Sequence, residues 1–185
     1  MMQIFDLIMF KGNLVTPLDA TIFKRSASNY THGAIWVGPQ NLIHPKTLKN
    51  IEGDIIEATV GGVQLSWISK YDHRDQKVLR YVDPIPEDKQ NKMLSWLISK
   101  LGCKYEYESF LGYLSGVAFD DPNEYVCVEL ASEMFTDNGL QVWGAETPKY
   151  IYPRDLLINP KFYLAEERKG IPKPIKPVEP PLVMA

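Results

Sequence analysis

The fold is decided by residues 31–38, Thr-His-Gly-Ala-Ile-Trp-Val-Gly, together with residues 125–131, Tyr-Val-Cys-Val-Glu-Leu-Ala. The first stretch places His32 at the start of a predicted strand, and the second places Cys127 at the start of a predicted helix. A thiol at a helix N-terminus faces the positive end of the helix dipole, which favours the thiolate. If the imidazole reaches that sulfur, the two side chains form a Cys-His nucleophilic pair.

The length and composition are those of a single globular domain. A chain of 185 residues is long enough for a sizeable core, and 45% apolar with 23% charged residues is ordinary for a soluble protein. The formal net charge is −3, and the basic residues are interspersed with acidic ones. Because a nucleic-acid binder needs a concentrated basic face to neutralise phosphates, we expect no nucleic-acid partner.

The cysteines and histidines are too few and too scattered for a disulfide framework or a zinc site. The two cysteines, Cys103 and Cys127, do not have CxxC spacing, and the three histidines include no HExxH pair. We therefore expect no zinc site, and the chemistry of a Cys-His pair requires no metal and no organic cofactor.

The N-terminal residues do not have the architecture of a signal peptide. Residues 1–11 lack a basic region, Asp6 interrupts the apolar run, and no small-residue cleavage site follows. No stretch approaches the roughly 20 apolar residues that a membrane span needs. We expect a chain that is made as a soluble protein and is cytoplasmic or virion-associated.

Strands dominate the first half of the predicted fold. Short apolar or alternating runs that end at turn residues predict strands over residues 4–10, 33–37, 55–60, 63–65 and 77–82. Gly38-Pro39 predicts a turn, with residues 41–44 as a hairpin partner and residues 46–54 as a loop.

Helices dominate the second half, over residues 87–101, 109–117 and 126–138, with a short helix that opens at Pro153. Strands followed by helices predict an α+β domain over residues 1–169, with a mostly antiparallel sheet packed against helices. Residues 170–185 are rich in proline and predict an extended C-terminal tail.

Five segments form an ordered set of motifs. They are residues 6–10 (Asp-Leu-Ile-Met-Phe), 31–38, 56–63 (Ile-Glu-Ala-Thr-Val-Gly-Gly-Val), 101–107 (Leu-Gly-Cys-Lys-Tyr-Glu-Tyr) and 127–130 (Cys-Val-Glu-Leu). In this order they resemble the circularly permuted NlpC-type cysteine peptidases, a branch of the papain-like superfamily in which the histidine precedes the cysteine. Phe5 replaces a usual Gly, Val128 replaces a common Ser, and residues 39–54 form a long link, so substrate preference stays open.

The resemblance implies a papain-like domain with the nucleophile at a helix N-terminus. It implies that Cys127 attacks a carbonyl carbon and that His32 acts as general base and then as general acid. A catalytic imidazole needs a third group that fixes its tautomer. We predict Glu57 for that role, because the next strand can bring its side chain alongside His32, and His44 is the alternative.

The resemblance also implies an oxyanion donor and a substrate class. Tyr105 resembles the tyrosine that precedes the nucleophile in this family, and its hydroxyl would act with the backbone N–H of Cys127. Tyr107 has the same chemistry two residues on and stays an alternative. The family acts on amide bonds of peptidoglycan stem peptides through an acyl-enzyme, which makes a peptidoglycan-like peptide the expected partner.

Two other functions stay open. Permuted relatives include lipid acyltransferases of the lecithin:retinol type, so the same pair could serve an acyltransferase or a lipid deacylase. Such proteins usually carry an apolar anchor, which we do not expect in this chain. A third hypothesis is a structural component of a phage-like assembly that keeps the fold and binds a protein partner through the proline-rich tail. Cys103 lies outside the motif positions and is expected to be structural.

Overall fold

A mostly antiparallel sheet with a few helices forms the described part of the chain, which comprises residues 1–12, 17–105, 124–144, 148 and 151–171 of a computed structural model. The strands are β1 (Leu7–Lys11), β2 (Tyr30–Ile43), β3 (Asn50–Thr59), β4 (Gly62–Ser66), β5 (Gln76–Tyr81), β6 (Lys104–Tyr105), β7 (Glu124–Tyr125) and β8 (Phe162–Arg168). The helices are α1 (Pro17–Ser26), α2 (Glu87–Lys100), α3 (Cys127–Asp137) and α4 (Pro153–Leu157), and a 3-10 turn spans Ile68–Tyr71. The expected α+β class is confirmed.

Six of these strands form one sheet in the order β4-β3-β2-β1-β5-β8, and each neighbouring pair is antiparallel. β6 and β7 form a separate parallel pair, in which Tyr105 lies opposite Tyr125. Because β7 leads almost directly into α3, this pair ties Tyr105 to the start of the helix that carries Cys127.

Alternation along the strands separates two apolar clusters, one on each face of the sheet. On β1, Leu7 and Met9 belong to the large core that also contains residues of α2 and α3. Ile8 and Phe10 point to the opposite face and join a smaller cluster with Tyr71. α3 lies against β2 and β3 and also contacts α2, so the helix that carries Cys127 is anchored in the large core.

The predicted helices that fall within the described residues are confirmed. α2 ends where the sequence predicts, and Gly102 follows it with a φ of +77°, a left-handed conformation that favours glycine. α3 begins at Cys127 and α4 at Pro153. The predicted helix over residues 109–117 lies outside the described residues. None of the described helices is long and apolar enough to cross a membrane.

The predicted turn at Gly38-Pro39 is wrong, because β2 continues through it to Ile43. Gly38 has a φ of +69° and Pro39 lacks a backbone N–H, so the pairing of β2 with β3 shifts register here, as at a bulge. The ladder then resumes beyond the bulge. Residues 41–43 of the predicted hairpin partner therefore belong to β2, and residues 50–54 of the predicted loop belong to β3. Residues 44–49 form the turn between the two strands, so the loop prediction is confirmed only for residues 46–49.

β8 is a strand that the sequence pattern did not indicate. It pairs with β5 and forms one edge of the large sheet. Phe162 is buried, but the residues that follow it are exposed or only half-buried. Since an edge strand of this kind buries little of its surface, its sequence lacks a clear alternation of apolar and polar residues.

Candidate active site

Cys127 is the first residue of α3, as the sequence predicts. Glu129 fixes this helix start, because its carboxylate accepts a hydrogen bond from the backbone N–H of Val126 at 3.1 Å. The Cys127 side chain is buried and belongs to the large core. The thiol is thus held at the positive end of the helix dipole by both capping and packing.

His32 and Glu57 are brought together by the pairing of β2 with β3. Because Ile35 pairs with Ile56, the Glu57 side chain emerges on the same sheet face as that of His32. The Nε2 atom of His32 lies 2.6 Å from Oε2 of Glu57, whose side chain is fully buried. The residue predicted from the next strand is therefore the one that contacts the imidazole.

The imidazole of His32 also interacts with the side chain of Cys127, and both side chains line the same cleft. Burial favours the neutral ring, but hydrogen bonds and charge attraction from Cys127 and Glu57 outweigh burial and raise the pKa of His32 to about 9. Near neutral pH the ring is therefore an imidazolium. With Nε2 directed at Glu57, Nδ1 is the ring nitrogen left for the sulfur.

The carboxylate of Glu57 accepts hydrogen bonds from several side chains besides His32. The donors are the hydroxyl of Tyr71 at 2.6 Å, Nζ of Lys70 at 3.1 Å and Nε2 of Gln64 at 3.2 Å. Burial alone would raise the pKa of Glu57, but its bond to His32 and the charge of that ring, with the hydroxyl of Tyr71, hold it well below the usual range. Glu57 is therefore a buried, ionised carboxylate.

Sequence reasoning missed these further partners of Glu57. Gln64 pairs directly with Glu57 across β3 and β4, so strand register could have indicated it. Lys70 and Tyr71 belong to the 3-10 turn after β4, and no motif or period in the sequence connects that turn to β3.

A cleft of about 180 Å³ lies beside the pair, and both His32 and Cys127 line it. The described residues that line it are Ile22, Thr31, His32, Ala58, Thr59, Val60, Tyr71, Arg74, Tyr105 and Cys127. The predicted oxyanion residue Tyr105 is thus placed in the same cleft as the thiol. Its alternative, Tyr107, lies outside the described residues.

His44, the alternative partner for His32, is placed elsewhere. It follows the last residue of β2, and its Nδ1 accepts hydrogen bonds from the backbone N–H groups of Lys46 and Thr47 at 3.1 and 3.3 Å. His44 therefore stabilises the turn between β2 and β3, and the structure does not bring it to His32.

Asp6 and Cys103 also lie within the motif segments of the sequence, and both make contacts with neighbouring parts of the fold. Asp6 is buried and forms a two-pronged ion pair with Arg80, with both N–O distances at 2.8 Å. Cys103 is half-buried, and Nζ of Lys46 lies 3.8 Å from its sulfur. Cys103 is not one of the described residues that line the cleft.

No family model matches the chain, and no curated protein matches it. Among solved structures, the chain is similar to the metalloprotein YiiX from Escherichia coli O157:H7, DUF1105, with a TM-score of 0.66 over 91% of this chain and 98% of that one. The two sequences are 14% identical, so the likeness concerns the fold alone. Within the described ranges, no group of three or more His, Cys, Asp or Glu side chains could hold a metal ion.

Proposed function

We propose that the chain is a cysteine hydrolase of amide bonds with a permuted papain-like fold of the NlpC type, and that its substrates are peptidoglycan stem peptides. The observation that carries the proposal is the grouping of Cys127, at a helix start, with His32 in one cleft, where His32 contacts the buried carboxylate of Glu57. A thiol nucleophile, a base and a group that orients the base are what acyl transfer to cysteine requires.

In the proposed reaction, the Cys127 thiolate attacks the carbonyl carbon of the scissile amide. As the C–N bond breaks, the His32 imidazolium gives its proton to the leaving amine, and the acyl group stays on sulfur as a thioester. His32 then takes a proton from a water molecule, whose oxygen attacks the thioester, and the departing sulfur yields the free acid and the original pair. The raised pKa of His32 supports the first step, because the ring holds the proton that the amine needs.

The negative oxygen of each tetrahedral intermediate needs donors. The backbone N–H of Cys127 lies in the first turn of α3, where backbone N–H groups have no partner within the helix. Tyr105 lines the same cleft. We assign these two groups to the oxyanion.

The proposal is tested by incubating the protein with purified peptidoglycan and with synthetic stem peptides. We expect new amino and carboxyl groups to appear, and we expect the same protein alkylated at Cys127 to release none. Release of fatty acid from phospholipid vesicles without peptide cleavage would replace the proposal by a lipid deacylase or acyltransferase. A folded protein that acts on neither substrate would favour a structural component of an assembly.

Selective alkylation gives a prediction that needs no substrate. Iodoacetamide at pH 6 is expected to label Cys127 in preference to Cys103, because the imidazolium of His32 stabilises the thiolate beside it. Cys127 is the more buried of the two cysteines, so access alone would produce the opposite preference. Peptide mass spectrometry measures the ratio. His32→Ala should remove most of the preference, and equal labelling in the wild type would contradict the pair.

The proline-rich tail is proposed to attach the domain to a protein partner. Residues 172–185 lie outside the described residues, but Gly170 and Ile171 bind the domain beyond the predicted boundary at residue 169. The N–H of Gly170 donates to Asp75 at 3.0 Å, and the N–H of Ile171 donates to the carbonyl oxygen of Asp72 at 2.7 Å.

Two truncations test where the domain ends. Deletion of residues 172–185 is expected to leave the melting temperature and peptide turnover nearly unchanged, because it removes none of these hydrogen bonds, and to weaken co-purification with a partner. Deletion of residues 169–185 should lower both quantities, since it frees the segment from Asp72 to Asp75 that follows Tyr71. A collapse of the melting temperature in the shorter deletion would show that the tail belongs to the fold.

A further inference from the structure

The 3-10 turn after β4 places two donors on the buried carboxylate of Glu57, behind the Cys-His pair. Tyr71 donates to Oε2, the same oxygen that contacts His32, whereas Lys70 binds Oε1. Each carboxylate oxygen therefore has a donor from this turn. The turn also borders the cleft, because Tyr71 lines it together with His32.

Packing holds Tyr71 in this position. Its ring stacks on Phe10 of β1 with 4.2 Å between the centroids, and it is itself buried. Burial and the charge of Glu57 raise the pKa of Tyr71 well above its ordinary value, so the hydroxyl keeps its proton and donates it to the carboxylate. Lys70 is half-exposed, and its ammonium faces the carboxylate from the solvent side.

Polar and charged groups from several elements surround Glu57, His32 and Tyr71. β2 supplies His32, β4 supplies Gln64 and Ser66, the 3-10 turn supplies Lys70 and Tyr71, the segment that follows supplies Arg74, and α3 supplies Cys127. Among these groups, Lys70 and Tyr71 donate to Glu57, and the hydroxyl of Tyr71 also lies 3.4 Å from Nε2 of His32. They are placed to act on the nucleophile through Glu57 and His32.

We propose that Lys70 and Tyr71 are positioning residues that keep Glu57 ionised and aimed at His32, and that they thereby set the pH at which the Cys127–His32 pair loses its proton. This inference rests on the proposed pair but not on the hydrolysis of any substrate. A buried carboxylate that loses a donor or a neighbouring cation binds a proton more tightly. The proton shared with His32 should then be lost at higher pH.

The test compares the alkylation of Cys127 by iodoacetate and by iodoacetamide across pH. Both reagents react with the thiolate, so the thiolate fraction cancels in the ratio of the iodoacetate rate to the iodoacetamide rate. Because iodoacetate is an anion and iodoacetamide is neutral, this ratio reports the positive charge of His32 beside the sulfur. We expect the ratio to fall with a midpoint near pH 9 in the wild type, where His32 loses its proton. In Tyr71→Phe and in Lys70→Met the midpoint should rise by roughly one pH unit, and Lys70→Arg should restore it.

Matched controls separate this role from a structural one. Tyr81→Phe removes the hydroxyl of another buried tyrosine, whose hydroxyl donates to the carbonyl oxygen of Gln141, and Lys49→Met removes an exposed cation in the turn between β2 and β3. Both controls should keep the wild-type midpoint. An unchanged midpoint in Tyr71→Phe and Lys70→Met would overturn the inference while leaving the proposed hydrolase standing. A ratio without any pH dependence in the wild type would overturn both, because His32 would then not face the thiol.

Discussion

Replacing Cys127 with alanine is expected to lower the turnover of peptidoglycan peptides by about a thousandfold or more, because Cys127 is the only thiol among the described residues that line the cleft. Cys127→Ser should be similarly inactive, since a serine hydroxyl beside His32 holds its proton far more tightly than a thiol. The fold should survive both changes. Cys127 is the first residue of α3, and the helix start is fixed by Glu129 and by the packing of the following turns.

The matched control is Cys103→Ala. Cys103 is the other cysteine of the chain; it is half-buried and lies near Lys46 rather than among the described residues of the cleft. Its removal should leave turnover and the melting temperature close to wild type. Turnover is measured by the release of free amino groups, with circular dichroism to verify the fold. Turnover that persists in Cys127→Ala would remove the nucleophile from the proposal.

The parts of the site that the sequence predicts are those that local structure determines. Cys127 begins a helix because an apolar helical pattern and a capping glutamate follow it, and both are readable along the chain. His32 lies near the start of β2, before a run of small and apolar residues, and Glu57 lies on the next strand, so their meeting needs only an antiparallel pair. These three residues are brought together as the sequence predicts.

The parts that the sequence does not predict depend on competition between distant segments. Gly38-Pro39 has the composition of a turn, but residues on both sides of it find partners on β3, and the gain from that long ladder outweighs the local preference. Lys70 and Tyr71 reach Glu57 only because the 3-10 turn packs against the sheet, where the ring of Tyr71 stacks on Phe10. Contacts of this kind leave no period or spacing in the sequence.

The choice of Glu57 as the group that orients His32 gives the second large expected effect. Glu57→Gln keeps the shape of the side chain but removes the charge that stabilises the imidazolium. It also turns one accepting oxygen into a donor that faces Tyr71 or Lys70, both of which are donors already. We expect kcat to fall by about a hundredfold to ten-thousandfold, because the lost interaction matters most where His32 carries its proton.

The same change should alter KM much less, since Glu57 is fully buried behind His32 and is not one of the described residues that line the cleft. His44→Ala is the comparison, because His44 binds the backbone of its own turn and lies away from His32. It should keep kcat near wild type. Initial rates over a range of peptide concentrations separate the two constants. If His44→Ala were crippled and Glu57→Gln nearly normal, the orienting role would pass to His44, and the 2.6 Å contact between His32 and Glu57 would have no part in turnover.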